Sequence, residues 1–335
     1  MEHSSFFDFL NNELINYNSN GERISLPLSI QLELTSLCNM HCKYCYNSSG
    51  VKDNNELSID QWIIVLNKII ERGGIFQCTF SGGEPLLFPN LNILMDTLYK
   101  DGTSFNLITN GCLLNEEQVI KFKKYNWNWI QISLDSQFAE IHDYVRGYAG
   151  GWEKAVNGIK ILVANNMPVH VACVVTKYNL YNLKEFVSFC KSIGVTKIRF
   201  SEVLFSGRAC DGKLLLTAEE KDYFKKTVDE LMLYNKKEQD IKIEIATSYR
   251  EQLTNLKKYA PLSIIIRPNG DVKIDCVLPF VIGNVKEESL SKIWQNVYSF
   301  YDSKIKNEYI DNALQGEIKV KNNFDPDIVF KKEVK

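Results

Sequence analysis

The chain is predicted to be α/β: a partial (β/α)6 TIM-like barrel with a small α+β C-terminal extension. Three observations predict this. Short β-rich runs alternate six times with helix-period runs. Several of those strand runs carry one apolar and one polar face. Residues of unusual chemistry or backbone character follow successive strands, where β/α barrels place their sites.

The first strand is "LSIQLELT" (28–35), with Ile30, Leu32 and Leu34 alternating against Gln31, Glu33 and Thr35. "IFQCTFSG" (75–82), "FNLIT" (105–109), "WIQISLD" (129–135), "VHVACVVT" (169–176) and "KIRFSEV" (197–203) follow. Helix-period stretches lie near 58–72, 90–100, 115–124, 151–165 and 180–193. Another spans 217–234, opened by the capping sequence "TAEE". Serial β-then-α units imply parallel pairing with right-handed crossovers. The polar strand faces, such as Gln77 with Thr79 and Gln131 with Ser133, imply that the inner side is a site and not a filled lumen. The expected organisation is an N-terminal segment (1–27), the barrel (28–235), the extension (236–302) and a polar tail (303–335).

A chain of 335 residues can bury a sizeable core. Its 39 basic and 41 acidic residues give a net charge of −2, so nothing argues for nucleic acid or an anionic membrane as partner. The start lacks a basic segment followed by an apolar run, and no apolar stretch is long enough to span a bilayer. Nine cysteines without an export signal point to a reducing cytoplasm, where clustered Cys mean metal or redox chemistry.

Four strand ends carry the chemistry. After strand one comes "CNMHCKYC", which puts Cys38, Cys42 and Cys45 in a C-x3-C-x2-C frame. Strand two ends in "SGGEP" (81–85), strand three in "TNG" (109–111) and strand four in "SLD" (133–135). Three thiolates are one short of a closed zinc site, which His41 could complete. They also suit an iron–sulfur cluster with one open iron.

With "GGEP" one strand later, the cysteine loop resembles that of the radical S-adenosylmethionine (SAM) superfamily, over roughly residues 28–205 and more weakly to about 300. The resemblance implies one [4Fe-4S] cluster on Cys38, Cys42 and Cys45, with SAM on the open iron. It further implies SAM contacts at Gly82, Gly83 and Glu84 (the amino group), Tyr44 and Leu204 (the adenine), and Ser133 and Arg146 (the ribose and carboxylate). Asn110 is assigned to the site or to the shape of the strand end. The implied chemistry is reductive cleavage of SAM to a 5′-deoxyadenosyl radical that abstracts hydrogen from a substrate C–H. A flavodoxin- or ferredoxin-type reductant is implied as partner.

Residues 262–301 resemble a SPASM or twitch extension, but their cysteines are mostly missing. Cys276 is the last Cys in the chain, and it falls one residue later after Gly270 than the usual pattern. On a strand that slip turns it to the opposite face and puts Asp275 in the expected place. A cluster-free cap is therefore expected, which favours redox-neutral outcomes such as epimerisation. Val277 stands where sulfatase maturases carry Asp, which disfavours formylglycine formation. Cys276 and Cys210 are candidate hydrogen-atom donors; Cys78, Cys173 and Cys190 read as core. The leading expectation is modification of a peptide substrate. The 27 residues before strand one are few for a leader-binding domain, so a separate leader-binding protein is an expected partner. The alternative is a radical enzyme acting on a small metabolite such as an aminoglycoside or nucleotide sugar; a non-catalytic SAM- or cluster-binding protein is a third class.

Overall fold

The computed structural model describes residues 24, 26–238 and 240–315, without the side chains of 236–238. Among the described residues one sheet runs in the order β10-β9-β8-β1-β2-β3-β4-β5-β6-β7. The strands are β1 (Ser29–Glu33), β2 (Gln77–Ser81), β3 (Ser104–Thr109), β4 (Trp127–Ser133), β5 (Val169–Val175) and β6 (Lys197–Glu202). They continue with β7 (Lys242–Ile245), β8 (Ser263–Ile266), β9 (Asp271–Lys273) and β10 (Gly283–Asn284). Pairing is parallel from β8 through β1 to β7. It is antiparallel from β8 to β9 and from β9 to β10. β7 and β8 do not pair, so the barrel stays open there.

The helices are α1 (Ile59–Ile70), α2 (Leu91–Tyr99), α3 (Glu116–Phe122), α4 (Ala139–Arg146) and α5 (Gly151–Ala164). After them come α6 (Leu183–Ser192), α7 (Ala218–Glu238), α8 (Tyr249–Lys258), α9 (Leu290–Tyr301) and α10 (Lys304–Gln315). Local chemistry fixes their starts. Ser58 and Gln61 form a reciprocal capping box at α1. Thr217 and Glu220 do the same at α7, as "TAEE" predicts. Asn115 caps α3 by accepting from the Gln118 N–H at 2.9 Å. Trp62, Val65, Leu66 and Ile69 then line one buried face of α1, at the spacing that a helix requires.

The sheet extends the predicted six-strand barrel at both ends. β7 was not anticipated: "KIEI" is short and half charged, and its only deeply buried side chain is Ile243. β8 joins β1 in parallel register, Ile30 opposite Ile264 and Leu32 opposite Ile266. Residues 236–302 thus supply strands to both edges of the sheet. The polar segment after 303 begins as helix α10, which buries Ile310 and pairs Asp311 with Lys257 of α8. Residues 316–335 lie outside the described residues, as do 1–23. No helix of the described residues is long and apolar enough to cross a membrane.

Candidate active site

A cavity of about 500 Å³ opens at the C-terminal ends of the parallel strands, a size typical of small-ligand sites. Cys38, Cys42 and Cys45 line it, together with Tyr44, Gly82, Gly83, Glu84, Asn110, Ser133, Arg146, Leu204 and Cys276. Two of the candidate site residues are absent from the wall: His41, and Cys210, which is exposed on the turn Gly207–Asp211 after β6. Gln131 and Ser133 bring the polar face of β4 into the cavity, as their alternation predicts.

The cysteine loop is held by its neighbours' backbone. The His41 N–H donates to the Arg146 carbonyl at 3.2 Å, and the Lys43 N–H to the Val145 carbonyl at 2.9 Å. The GGEP segment presses on the loop from β2. A Cβ on Gly82 (φ +135°) would lie 2.6 Å from the Thr35 carbonyl oxygen, and one on Gly83 2.2 Å from that of Leu37. Both glycines are thus required by the crossing of two protein backbones, whatever ligand they also meet.

Glu84 is buried and accepts from the Thr109 hydroxyl at 2.6 Å, the Asn110 N–H at 2.8 Å and the Leu86 N–H at 3.1 Å. Burial outweighs these bonds and pushes its pKa up to about 7. Asn110 joins this carboxylate to the cysteine loop, its side-chain amide donating to Asn39 at 2.7 Å.

Arg146 is committed to a partner within the fold, Asp135. Its Nε and Nη2 donate to the two oxygens of Asp135 at 2.7 and 3.1 Å, and both residues are buried. Asp135 also accepts from the Tyr44 hydroxyl and from the Val174 N–H. Burial alone would raise the Asp135 pKa, but Arg146 and these donors hold it below its ordinary value. Only Nη1 of Arg146, 4.0 Å from the Cys42 sulfur, is left to face a ligand. The strand-end "SLD" thus supplies Asp135, behind the cavity wall, as well as Ser133 on it.

Cys276 sits on the cavity wall, and the face-alternation argument does not apply to it. β9 ends at Lys273, so residues 275 and 276 are no longer on a strand. Asp275 is off the cavity wall and accepts from the Val277 N–H at 2.6 Å. Burial pushes the Cys276 thiol well up, so it stays protonated. Behind it lies a buried ionic group. Glu33 accepts from the Asn47 side chain at 2.9 Å and the Tyr46 hydroxyl at 3.2 Å, and it pairs with Arg267 at 3.6 Å. Burial and then Arg267 push the nearby Lys273 down to about 8.

The donor set suits an iron–sulfur cluster better than zinc. His41 is exposed and off the cavity wall. Among the described residues no three His, Cys, Asp or Glu side chains close on an ion-sized point. Burial, and then the neighbouring acidic groups, push Cys38 up to about 12, so its thiolate form needs a bound positive centre.

An open parallel barrel with three cysteines at the rim of a strand-end cavity defines an iron–sulfur enzyme of the β/α-barrel class. A radical SAM superfamily model matches residues 32–190, and an iron–sulfur cluster-binding domain (SPASM) model matches residues 261–313. The chain belongs to the radical SAM superfamily. It is similar to the sporulation killing factor maturation protein SkfB of Bacillus subtilis (strain 168), 30% identical over 316 residues, or 92% of this chain and 73% of that protein. The subtilosin biosynthesis protein AlbA of the same strain is 27% identical over 281 residues, 83% of this chain and 62% of AlbA. The chain thus spans less than two thirds of AlbA. The structure of Streptococcus suis SuiB bound to its precursor peptide SuiA shares the fold: TM-score 0.67, 15% identity, 91% of this chain and 72% of that one.

Proposed function

We propose that this radical SAM enzyme modifies a peptide, with a redox-neutral outcome of which epimerisation is the leading form. One observation carries the outcome: Cys276 faces the same cavity as Cys38, Cys42 and Cys45, while residues 261–313 contain no other cysteine. Similarity to SkfB and AlbA, and the fold shared with SuiB, support a peptide over a small metabolite as substrate.

Cys38, Cys42 and Cys45 would hold a single [4Fe-4S] cluster, and Glu84, Asn110, Ser133, Tyr44 and Leu204 the SAM beside it. When bound, the pair supplies a 5′-deoxyadenosyl radical that takes hydrogen from the substrate. The protein's own part is to orient that C–H, to exclude water and to return a hydrogen atom. In the return step the Cys276 S–H bond breaks as a C–H bond forms on the opposite face of the substrate carbon. The resulting thiyl regains one electron from the flavodoxin- or ferredoxin-type carrier and one proton from solvent. Cys210, exposed and off the wall, is the weaker donor. A separate protein presents the peptide's leader, the enzyme works in the cytoplasm, and residues 236–302 act as a SPASM-like cap.

The test is turnover of a candidate precursor peptide in deuterium oxide. One solvent deuteron at an α-carbon per inverted residue supports the reading, as does its loss in Cys276→Ala with 5′-deoxyadenosine still formed. Deuterium incorporation undiminished in Cys276→Ala would overturn the donor, and turnover of free sugars alone would overturn the substrate class.

A further inference from the structure

We propose that the segment following β6, residues 206–212, is a latch that holds the cysteine loop in its ligand-presenting shape, with Arg208 as the positioning residue. This rests on the reading that Cys38, Cys42 and Cys45 hold the cluster.

Arg208 reaches across to three carbonyls of that loop. Its Nε donates to the Cys42 carbonyl at 2.7 Å and its Nη1 to the Ser49 carbonyl at 2.7 Å. Its own N–H donates to the Cys45 carbonyl at 3.0 Å. Two of these carbonyls belong to the proposed ligands. The guanidinium thereby ties together points seven residues apart, from Cys42 to Ser49, on a segment without helix or extended strand. A planar fork can bridge two acceptors in this way, whereas a lysine ammonium offers a point charge.

The residue before it makes the approach feasible. Gly207 has φ +57°, and a Cβ there would lie 2.3 Å from the Cys45 carbonyl oxygen and 2.5 Å from that of Tyr46. The two backbones touch, so no side chain fits between them. Ser206 adds a hydroxyl donor to the Tyr46 carbonyl at 3.4 Å. On its far side the latch is anchored by apolar contact: Ala209, with Leu214 just beyond the latch, is buried in one cluster with Tyr44, Val145 and Val203. The cysteine loop is therefore clamped between α4, through the carbonyls of Val145 and Arg146, and the latch. Within "SGRAC" the Gly-Arg pair does the fastening, while Cys210 stays exposed.

The experiment uses the full chain reconstituted anaerobically with iron and sulfide. It measures cluster loss to an iron chelator, and the electron paramagnetic resonance spectrum of the reduced protein with and without SAM. Arg208→Gln and Gly207→Ala should lose the cluster about tenfold faster or more, since charge-assisted bonds to loop carbonyls are gone or pushed apart. Arg208→Lys should fall between these and the wild type. Circular dichroism of the metal-free Arg208→Gln and Arg208→Lys proteins should match the wild type, which separates fastening of the loop from general folding. A wild type that holds iron while Arg208→Gln holds it equally long refutes the latch alone. If Arg208→Gln fails to fold, wild-type retention in both Arg208→Lys and Gly207→Ala refutes it. A wild type that takes up no iron refutes the cluster assignment, and the latch with it.

Discussion

The loop that follows β1 and the hairpin that pairs beside β1 reach the same cavity, the first through Cys38, Cys42 and Cys45, the second through Cys276. The loop buries few apolar side chains and is held by hydrogen bonds from α4 and Arg208. The hairpin region is held by apolar packing: Ile264, Ile266, Val272, Val277, Leu278, Phe280 and Ile282 are all buried, in one cluster with Ile293, Trp294 and Phe300 of α9 and the barrel strands. A segment shaped to present ligands depends on hydrogen bonds from its neighbours, whereas one packed into the main apolar core keeps its frame with a single sulfur. This explains how a cluster-binding domain model can match residues 261–313 although they carry only Cys276.

The contrast breaks most sharply at the thiols. Replacing Cys38, Cys42 and Cys45 together by Ala should abolish bound iron and cut 5′-deoxyadenosine formation by more than about a hundredfold, because no other ligand set replaces them. The thermal midpoint of the metal-free protein should move by less than about 3 °C. Iron analysis and product chromatography check the first part, calorimetry the second. An iron content of about eight per wild-type chain would mean that the hairpin region also holds a cluster.

The two regions meet at Glu33, and removing it should cost the next largest amount. Glu33→Ala removes one ionic contact of buried Arg267 and the acceptor of the Asn47 side chain and the Tyr46 hydroxyl. Losing this side of a buried ionic group costs about 3 kcal/mol. Urea unfolding measures it, and a loss below about 1 kcal/mol would show that the ionic group does not couple loop to hairpin.

Lys273 sharpens the comparison further. Burial and Arg267 lower its pKa to about 8, below the 10.5 of a free lysine. Between those values the unfolded chain binds the extra proton, so stability should rise with pH from about 8 to about 10.5. Lys273→Met should flatten that rise and add about 2 kcal/mol near pH 7. Denaturant midpoints across pH test both.

Tyr44→Phe should show the smallest effect. Asp135 loses one donor but keeps Arg146 and the Val174 N–H, so the cost should be about 1–2 kcal/mol in thermal unfolding.

The six strands and six helices with strong periodicity were legible because each buries one face of an element. The missed elements have little to bury. α8 hides only Leu253, and α4 is eight residues of mixed polarity. The cysteines and GGEP were legible as motifs. Asp135 and Arg208 were not, because their importance lies in partners 11 and 166 residues away in sequence. The face assigned to Cys276 failed for a related reason: strand parity carries no information once the strand has ended.

The pairing of β1 with β8 joins Ser29 to Ser263, a separation of 263 − 29 = 234 residues. Contacts so distant are slow to form, since a long loop must close before they reward it. During synthesis the cysteine loop therefore emerges on a strand with one edge still bare, long before its neighbour exists. A chain cut short of residue 263 would keep that edge open, beside a strand whose Ile30 and Leu32 are meant for the interior. Such a fragment is a template for association between chains. The hairpin region thus covers an edge of β1 that would otherwise lie bare.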